Sequence, residues 1–281
     1  MNNLYVSTTF IRDKQKIKVA LDILKSEGIK NVELGSNHIY ERNFDYIKNY
    51  DFNFLVHNYF PTPKNDFIIN IASSNTKIRD RSLNQIKKSI IFLKKVKAKI
   101  YTFHPGFISD PLEVNKSKKN YDFVWRNKKF KKKYDLAFNY MILSLEKIVN
   151  FAKKNRARVA IETEGSLKKK NLLLLQTPEE YQKLFNYFTP NDLGINLNIG
   201  HLNLASKAFK FSKLEFIKSL KPYIIALELS HNNGIDDQHL PLRKNKWYWD
   251  IINDLDLSKT YKILEFRNTN IEKIKKVIKL F

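Results

Sequence analysis

The chain has 281 residues, 43% of them hydrophobic, and carries 51 Lys plus Arg against 28 Asp plus Glu, a net charge of +23. That length suffices for one large core, while the apolar runs break at Lys, Asn or Asp well short of the roughly 20 residues a bilayer span demands, so membrane insertion is not expected. With no Cys, disulfides, thiolate ligands and Cys nucleophiles are excluded; the composition fits a reducing cytoplasm, and the start MNNLYVSTTF lacks the basic and apolar segments of a signal peptide.

Short apolar, β-branched runs alternate with longer segments of helical period, the pattern of strand and helix units around a parallel sheet. The first strand is predicted at Leu4 to Ser7, and a helix follows over Lys14 to Ser26 with Ile17, Ala20, Leu21 and Leu24 on one stripe and Gly28 placed for a left-handed cap. Strands at Asn31 to Leu34 and Phe52 to His57 come next. The connection NYFPTPKNDFIINIASSN is longer than a simple link requires and carries an apolar patch, which predicts a small lid or hairpin. A helix over Arg81 to Val96 repeats the apolar stripe with Ile86, Ile90 and Leu93, and leads to a strand at Lys99 to His104.

The segment Asp110 to Lys133 holds Lys116, Lys118, Lys119, Arg126, Lys128, Lys129, Lys131, Lys132 and Lys133. It reads either as a solvated loop or as an anion clamp over the mouth of the fold, with Trp125 shielding a substrate. Beyond it lie a helix over Tyr134 to Ala152, a strand at Arg158 to Glu162, and a helix opening at Pro178, where Thr177 and Glu180 have capping-box spacing. Strands at Leu193 to Asn198, Tyr223 to Leu229 and Tyr261 to Phe266 complete eight. Eight such pairs predict a single-domain (β/α)8 barrel of the α/β class over residues 1–281.

In such a barrel the carboxyl ends of the strands converge on one mouth, so residues far apart in sequence can share an ion. Glu162, Asn198, His231 and Glu265 end or follow the last four strands and form the first candidate metal set: two carboxylates, an imidazole and an amide oxygen suit a divalent Lewis acid such as Mn, Mg, Co or Zn. His57 and His104 flank Glu162 and are candidates for a further ion or for holding substrate hydroxyls. His201, Asp237 and His239 make a third nitrogen and oxygen group. His38 has no evident metal partner and is read as surface or substrate-facing. Glu162 and Glu265 are the candidate acid and base for proton transfer through an enediolate, and Arg267, two residues past Glu265, is placed to orient a substrate oxygen. The charge excess would attract polyanions or phosphorylated sugars; a composition crowded with Lys, Asn and Ile produces the same excess with no partner.

The ordered motifs VELG, HNYFP, FHPG, IETEG, NIGHL, LSHNNGIDDQHLP and ILEFRN together resemble the xylose isomerase-like barrel superfamily, over nearly the whole chain. The resemblance implies a metal-dependent sugar or sugar phosphate isomerase or epimerase, of a kind associated with surface polysaccharide synthesis. It places the ion on Glu162, Asn198, His231 and Glu265, with Asn198 standing where the family has Asp. The superfamily also contains the endonuclease IV type of apurinic-site nuclease, with three zinc ions, which implies an alternative on His57, His104, Glu162, Asn198, His201, His231, Asp237, His239 and Glu265 with nucleic acid as partner. Asn198 leaves a third reading, a barrel that binds carbohydrate without turning it over.

Overall fold

The computed structural model describes residues 3–117, 120–125, 133–167, 172–254 and 259–281. Eight parallel strands close into a barrel: β1 (Leu4–Ser7), β2 (Asn31–Leu34), β3 (Asn53–His57), β4 (Ile100–Phe103), β7 (Arg158–Glu162), β8 (Gly194–Asn198), β9 (Ile224–Leu229) and β10 (Tyr261–Leu264). β10 hydrogen-bonds to β1 and closes the ring. Every barrel strand lies within the span predicted for it, shortened at an end by at most two residues.

Helices α1 (Ile17–Ser26), α2 (Thr76–Lys95), α3 (Tyr134–Lys154), α4 (Pro178–Phe185), α5 (Ile199–Phe209), α6 (Lys213–Leu220), α7 (Tyr248–Asp254) and α8 (Ile271–Ile278) surround the barrel. Their apolar stripes face the barrel wall; Ile17, Ala20, Leu21 and Leu24 of α1 are all fully buried. α1 starts later than its periodicity suggests because Lys14 has a left-handed backbone, φ 60°, and its N–H donates to the Asn37 carbonyl at 2.8 Å, so it cannot enter a helix. α2 starts earlier than expected, since Asn75 Oδ1 accepts from the Lys77 N–H at 3.0 Å and caps a polar first turn that hydrophobic periodicity does not reveal. At α4 the expected capping box is present, with the Thr177 N–H donating to Glu180 Oε2 at 2.9 Å.

Two layers fill the barrel interior. Side chains alternate along a strand, and the inward positions of β1, β3, β4, β9 and β10 bring Tyr5, Leu55, Ile100, Ala226 and Ile263 together as an apolar plug separate from the main core. Two residues further along the same strands stand Ser7, His57, Thr102, Glu228 and Glu265, all buried. The floor of the barrel is hydrocarbon and its mouth is polar.

The long connections build walls above that mouth. Part of the basic segment forms an antiparallel hairpin, β5 (Glu113–Ser117) and β6 (Asn120–Val124), from which Phe123 and Trp125 pack edge-on against Phe107 with centroids 4.7 and 5.5 Å away. Lys118, Lys119, Arg126, Lys128, Lys129, Lys131 and Lys132 lie outside the described residues. The connection after β3 contains neither a strand nor a hairpin; it is anchored by buried Ile69, Ile71 and Ala72 and by Asn70, whose amide donates to the Phe107 carbonyl at 3.2 Å and to Asp110 at 2.8 Å. Gly106 makes this junction feasible: its φ is +97°, and a Cβ there would run into Asn70 Oδ1. Among the described residues no helix is long and apolar enough to cross a membrane.

Candidate metal centre

Polar side chains gather at or just past the strand ends, and among the described residues they make three groups of possible ligand atoms: His57, His104 and Glu162; His201, Asp237 and His239; and Glu228, His239 and Glu265. Within each group the ligand atoms lie within 4.8 Å of one another. They line a cavity of about 880 Å³ whose upper walls include Tyr59, Phe67, Phe107, Leu112 and Phe123, a volume suited to a small molecule.

Glu162, at the end of β7, is the hub. Its Oε1 accepts from Asn198 Nδ2 at 2.9 Å and lies 3.3 Å from His201 Nδ1. Its Oε2 stands 3.8 Å from His57 Nε2 and 3.7 Å from His104 Nε2, and has no hydrogen-bond partner although it is buried. The far sides of both rings are pinned. His57 Nδ1 is hydrogen-bonded to Thr102 Oγ1 at 2.8 Å, and His104 Nδ1 to Glu164 Oε1 at 2.7 Å. Holding an imidazole by one nitrogen and aiming the other at a shared point is how proteins orient metal-binding histidines.

The spacing of Asn198 and His201 has a local cause. Asn198 is the N-cap of α5, and its Oδ1 accepts from the His201 N–H at 3.1 Å. The cap presents the His201 ring inward, where Nδ1 bonds the Thr163 carbonyl at 2.8 Å and Nε2 lies 3.5 Å from Asp237. A Cβ on Gly165 would meet the His201 carbonyl, so only glycine lets the IETEG loop pack against this first turn. Asp237 also meets His239 Nε2 at 2.9 Å, and the other nitrogen of that ring lies 2.6 Å from Glu265 Oε2. Neither atom of that last contact has hydrogen-bond geometry to any partner. Arg267 Nη2 approaches Glu265 Oε1 at 3.7 Å on the cavity wall.

The electrostatics follow from dense packing of opposite charges. Burial alone would raise the Glu162 carboxyl, but His104, then His201 and His57, hold it down to about 2. Burial pulls His57 down to about 4. It also works against a charged His104, yet Glu162 and Glu164 hold that ring up at about 9. Glu265 is held well below the ordinary carboxylate range against the effect of burial, chiefly by His239. Glu228 goes the other way: burial, then Glu162 and Glu265, push it well above. Glu33 on β2, buried with neither oxygen in a hydrogen bond, is raised to about 8 by burial and by Glu265.

Of the residues singled out from sequence, His57, His104, Glu162, His201, Asp237, His239, Glu265 and Arg267 all line this one cavity. Asn198 contacts Glu162 from beneath, with its amide nitrogen toward the carboxylate and its oxygen used as a helix cap. His231 is not brought to the ligand groups. It lies beyond β9, pairs with Leu240 in an isolated bridge, and sets its ring 6.1 Å from that of Tyr248. His38 is not a surface residue: it is buried, with Nε2 2.9 Å from Thr8 Oγ1, it lines the same cavity as the ligand groups, and burial pulls it down to about 4. Glu228, Glu164 and Glu33 escaped the sequence reading. Glu228 could have been found by noticing that AIE, ALE and ILE end three barrel strands alike at Glu162, Glu228 and Glu265.

The residues fit a divalent ion. Glu162 Oε2, Asp237 Oδ1, His239 Nδ1 and Glu265 Oε2 are buried without hydrogen-bond partners, and unpaired buried lone pairs of this kind are costly unless something binds them. Oxygen and imidazole donors without thiolate suit Zn, Mn, Co or Mg.

Protein MJ1614 of Methanocaldococcus jannaschii, an uncharacterized protein, is 26% identical over 275 residues, covering 96% of this chain and 94% of its own length. Among solved structures, a D-tagatose 3-epimerase-like protein superposes with a TM-score of 0.74 at 19% identity, covering 99% of this chain and 95% of that one. The 3-keto-D-glucoside 4-epimerase YcjR of E. coli gives a TM-score of 0.66 at 9% identity over 99% of each chain. Likenesses at that identity establish the fold. The family model for the xylose isomerase-like TIM barrel matches residues 21–281, and the chain belongs to that family.

Proposed function

We propose that this chain is a divalent-metal-dependent isomerase or epimerase of a sugar or sugar phosphate, moving a proton at the carbon beside a carbonyl. The observation that carries the reading is the setting of Glu162 and Glu265: two buried carboxylates, each held in its ionised form by neighbouring imidazoles, line a walled cavity of about 880 Å³. The names of similar solved structures, a D-tagatose 3-epimerase-like protein and a 3-keto-D-glucoside 4-epimerase, support the same class of substrate.

His57, His104 and Glu162 form one group that would hold an ion, and His239 and Glu265 belong to another. When bound, the ion supplies Lewis-acid polarisation of a substrate carbonyl and the neighbouring hydroxyl, which acidifies the hydrogen between them. Glu162 Oε2 and Glu265 Oε2 are the atoms free to take and return that proton from opposite sides. Arg267 sits beside Glu265 to orient a substrate oxygen, and the pinned rings of His57 and His104 fix the position of Glu162 Oε2. The walls from Tyr59, Phe67, Phe107 and Phe123 would cover the apolar faces of a bound sugar.

The test is incubation of candidate aldoses, ketoses and their phosphates in deuterated water with Mn-loaded protein. Deuterium at the carbon beside the carbonyl, lost in Glu162→Gln and Glu265→Gln, is the expected result. Sugar binding without exchange would instead identify a non-catalytic carbohydrate-binding barrel.

One observation favours a second reading. The three ligand groups, two of which share His239, resemble what a three-zinc nuclease acting at abasic sites requires, and the charge of +23 suits DNA. Three zinc ions per chain together with salt-sensitive nicking of an abasic duplex would establish that reading and displace the first. The walls over the cavity weigh against it, because they narrow access to the mouth.

A further inference from the structure

The sequence reading puts the second strand-end ligand on an uncharged Asn198 and the third on His231. Neither side chain lines the cavity. Asn198 spends its oxygen on the α5 N-cap and turns its amide hydrogens to Glu162, and His231 stands beside Tyr248 beyond the ligand groups.

Parity along β9 explains which residue does face inward. Ala226 belongs to the apolar plug inside the barrel, so Glu228, two residues on, projects to the same side one layer higher. It pairs in register with Asn198 on β8 and with Ile263 on β10. His231 is three residues past Glu228, an odd step, and lies after the strand has ended. Glu228 is 1% exposed, its Oε2 accepts from Asn196 Nδ2 at 2.8 Å, and its ligand atom lies within 4.8 Å of those of His239 and Glu265. In the same group, His239 Nδ1 and Glu265 Oε2 lie 2.6 Å apart, so an imidazole nitrogen and a carboxylate oxygen already converge beside Glu228.

We infer that Glu228 is a metal ligand of this centre and, on losing its proton as the ion binds, supplies a charge that Asn198 lacks, so an ion is held by the carboxylates of Glu228 and Glu265 with the His239 imidazole. Asn196 acts as a positioning residue, donating its amide to Glu228, as Asn198 does to Glu162. The charge count matters because a divalent ion gains far more from a carboxylate than from a neutral amide in a buried site.

This inference rests on the reading that a divalent ion binds at the mouth, and the experiment separates the two. Metal-free full-length protein is titrated calorimetrically with Mn²⁺, and ions per chain are counted by elemental analysis after buffer exchange, for the natural chain, Glu228→Gln and His231→Gln. The expected result is that Glu228→Gln loses one ion per chain or weakens its binding about tenfold or more, while His231→Gln stays within about twofold of the natural chain. Unchanged binding in Glu228→Gln, or a loss in His231→Gln equal to that expected for Glu228, overturns the assignment. Should Glu228→Gln fail to fold, judged by its circular dichroism, His231→Gln still decides: retained binding supports the inference and lost binding overturns it. A natural chain that binds no Mn²⁺ or Zn²⁺ would instead sink the metal reading itself.

Discussion

The floor of the barrel and its mouth are built by the same strands, two residues apart, and they behave as opposites. At the floor, Tyr5, Leu55, Ile100, Ala226 and Ile263 remove apolar surface from water and need nothing further. At the mouth, Ser7, His57, Thr102, Glu228 and Glu265 are just as deeply buried, yet there burial pushes His57 down and Glu228 up in proton affinity and crowds carboxylates against imidazoles. The floor stabilises the fold whether or not anything binds. The mouth is a liability until a cation and substrate arrive, which is the usual relation between a scaffold and its site.

That contrast is broken most severely at Glu162. Glu162→Gln is expected to lower isomerase or epimerase turnover by about 10²- to 10⁴-fold, the range of general acid-base contributions, while the melting temperature of the metal-free protein holds or rises. A comparable loss of stability in place of activity would mean that the mouth holds the fold together.

At the floor the effect should reverse in kind. Ile263→Ala is expected to cost about 2–5 kcal/mol of unfolding free energy by denaturant titration and to leave Mn²⁺ affinity nearly unchanged, because Ile263 is fully buried one layer beneath the ligands.

Glu33 sharpens the comparison through pH. Its folded carboxyl, at about 8, holds a proton that the unfolded chain has released above its ordinary value of 4.5. The unfolded state therefore binds fewer protons in that window, and the stability of the metal-free protein should fall as pH rises from about 4.5 to about 8, by up to about 1.4 kcal/mol per unit. Glu33→Gln should flatten this slope in denaturant titrations at several pH values. A slope that persists unchanged would remove Glu33 from the account.

The smallest effect belongs to neither layer. Asn75→Ala, outside the barrel, should cost about 1 kcal/mol through loss of the α2 cap, with no change in ion binding.

The fold was legible because hydrophobic period and strand-end chemistry agree along the whole chain: all eight barrel strands lie within their predicted spans. The helix starts that differ were governed by single residues, the left-handed Lys14 and the capping Asn75, which periodicity does not report. The β5–β6 hairpin was hidden by its lysines, since charge dominates a reading of Glu113–Val124 and masks the alternation of Tyr121, Phe123 and Trp125.

At the site, residue type led straight to eight cavity-lining residues and to His38, which lines the same cavity, while Asn198 and His231 lie off it. A histidine draws attention wherever it falls, so His231 was singled out and Glu228, which counting by twos from Ala226 places inward, was passed over. Asn198 was weighed as a ligand because of where it lies, whereas its spacing to His201 is that of an N-cap and the residue three positions on. The supporting carboxylate Glu164 was invisible because its partner, His104, is 60 residues away.

The central claim is that distant strand ends share a cation at the mouth of the barrel. Its most direct test is a crystal structure of the protein soaked in MnCl₂, with data collected to give the anomalous signal of manganese. The account predicts a peak in contact with carboxylate oxygens of Glu228 and Glu265 and with the His239 ring. No peak within the mouth, or one coordinated by His231 beyond the end of β9, would contradict it.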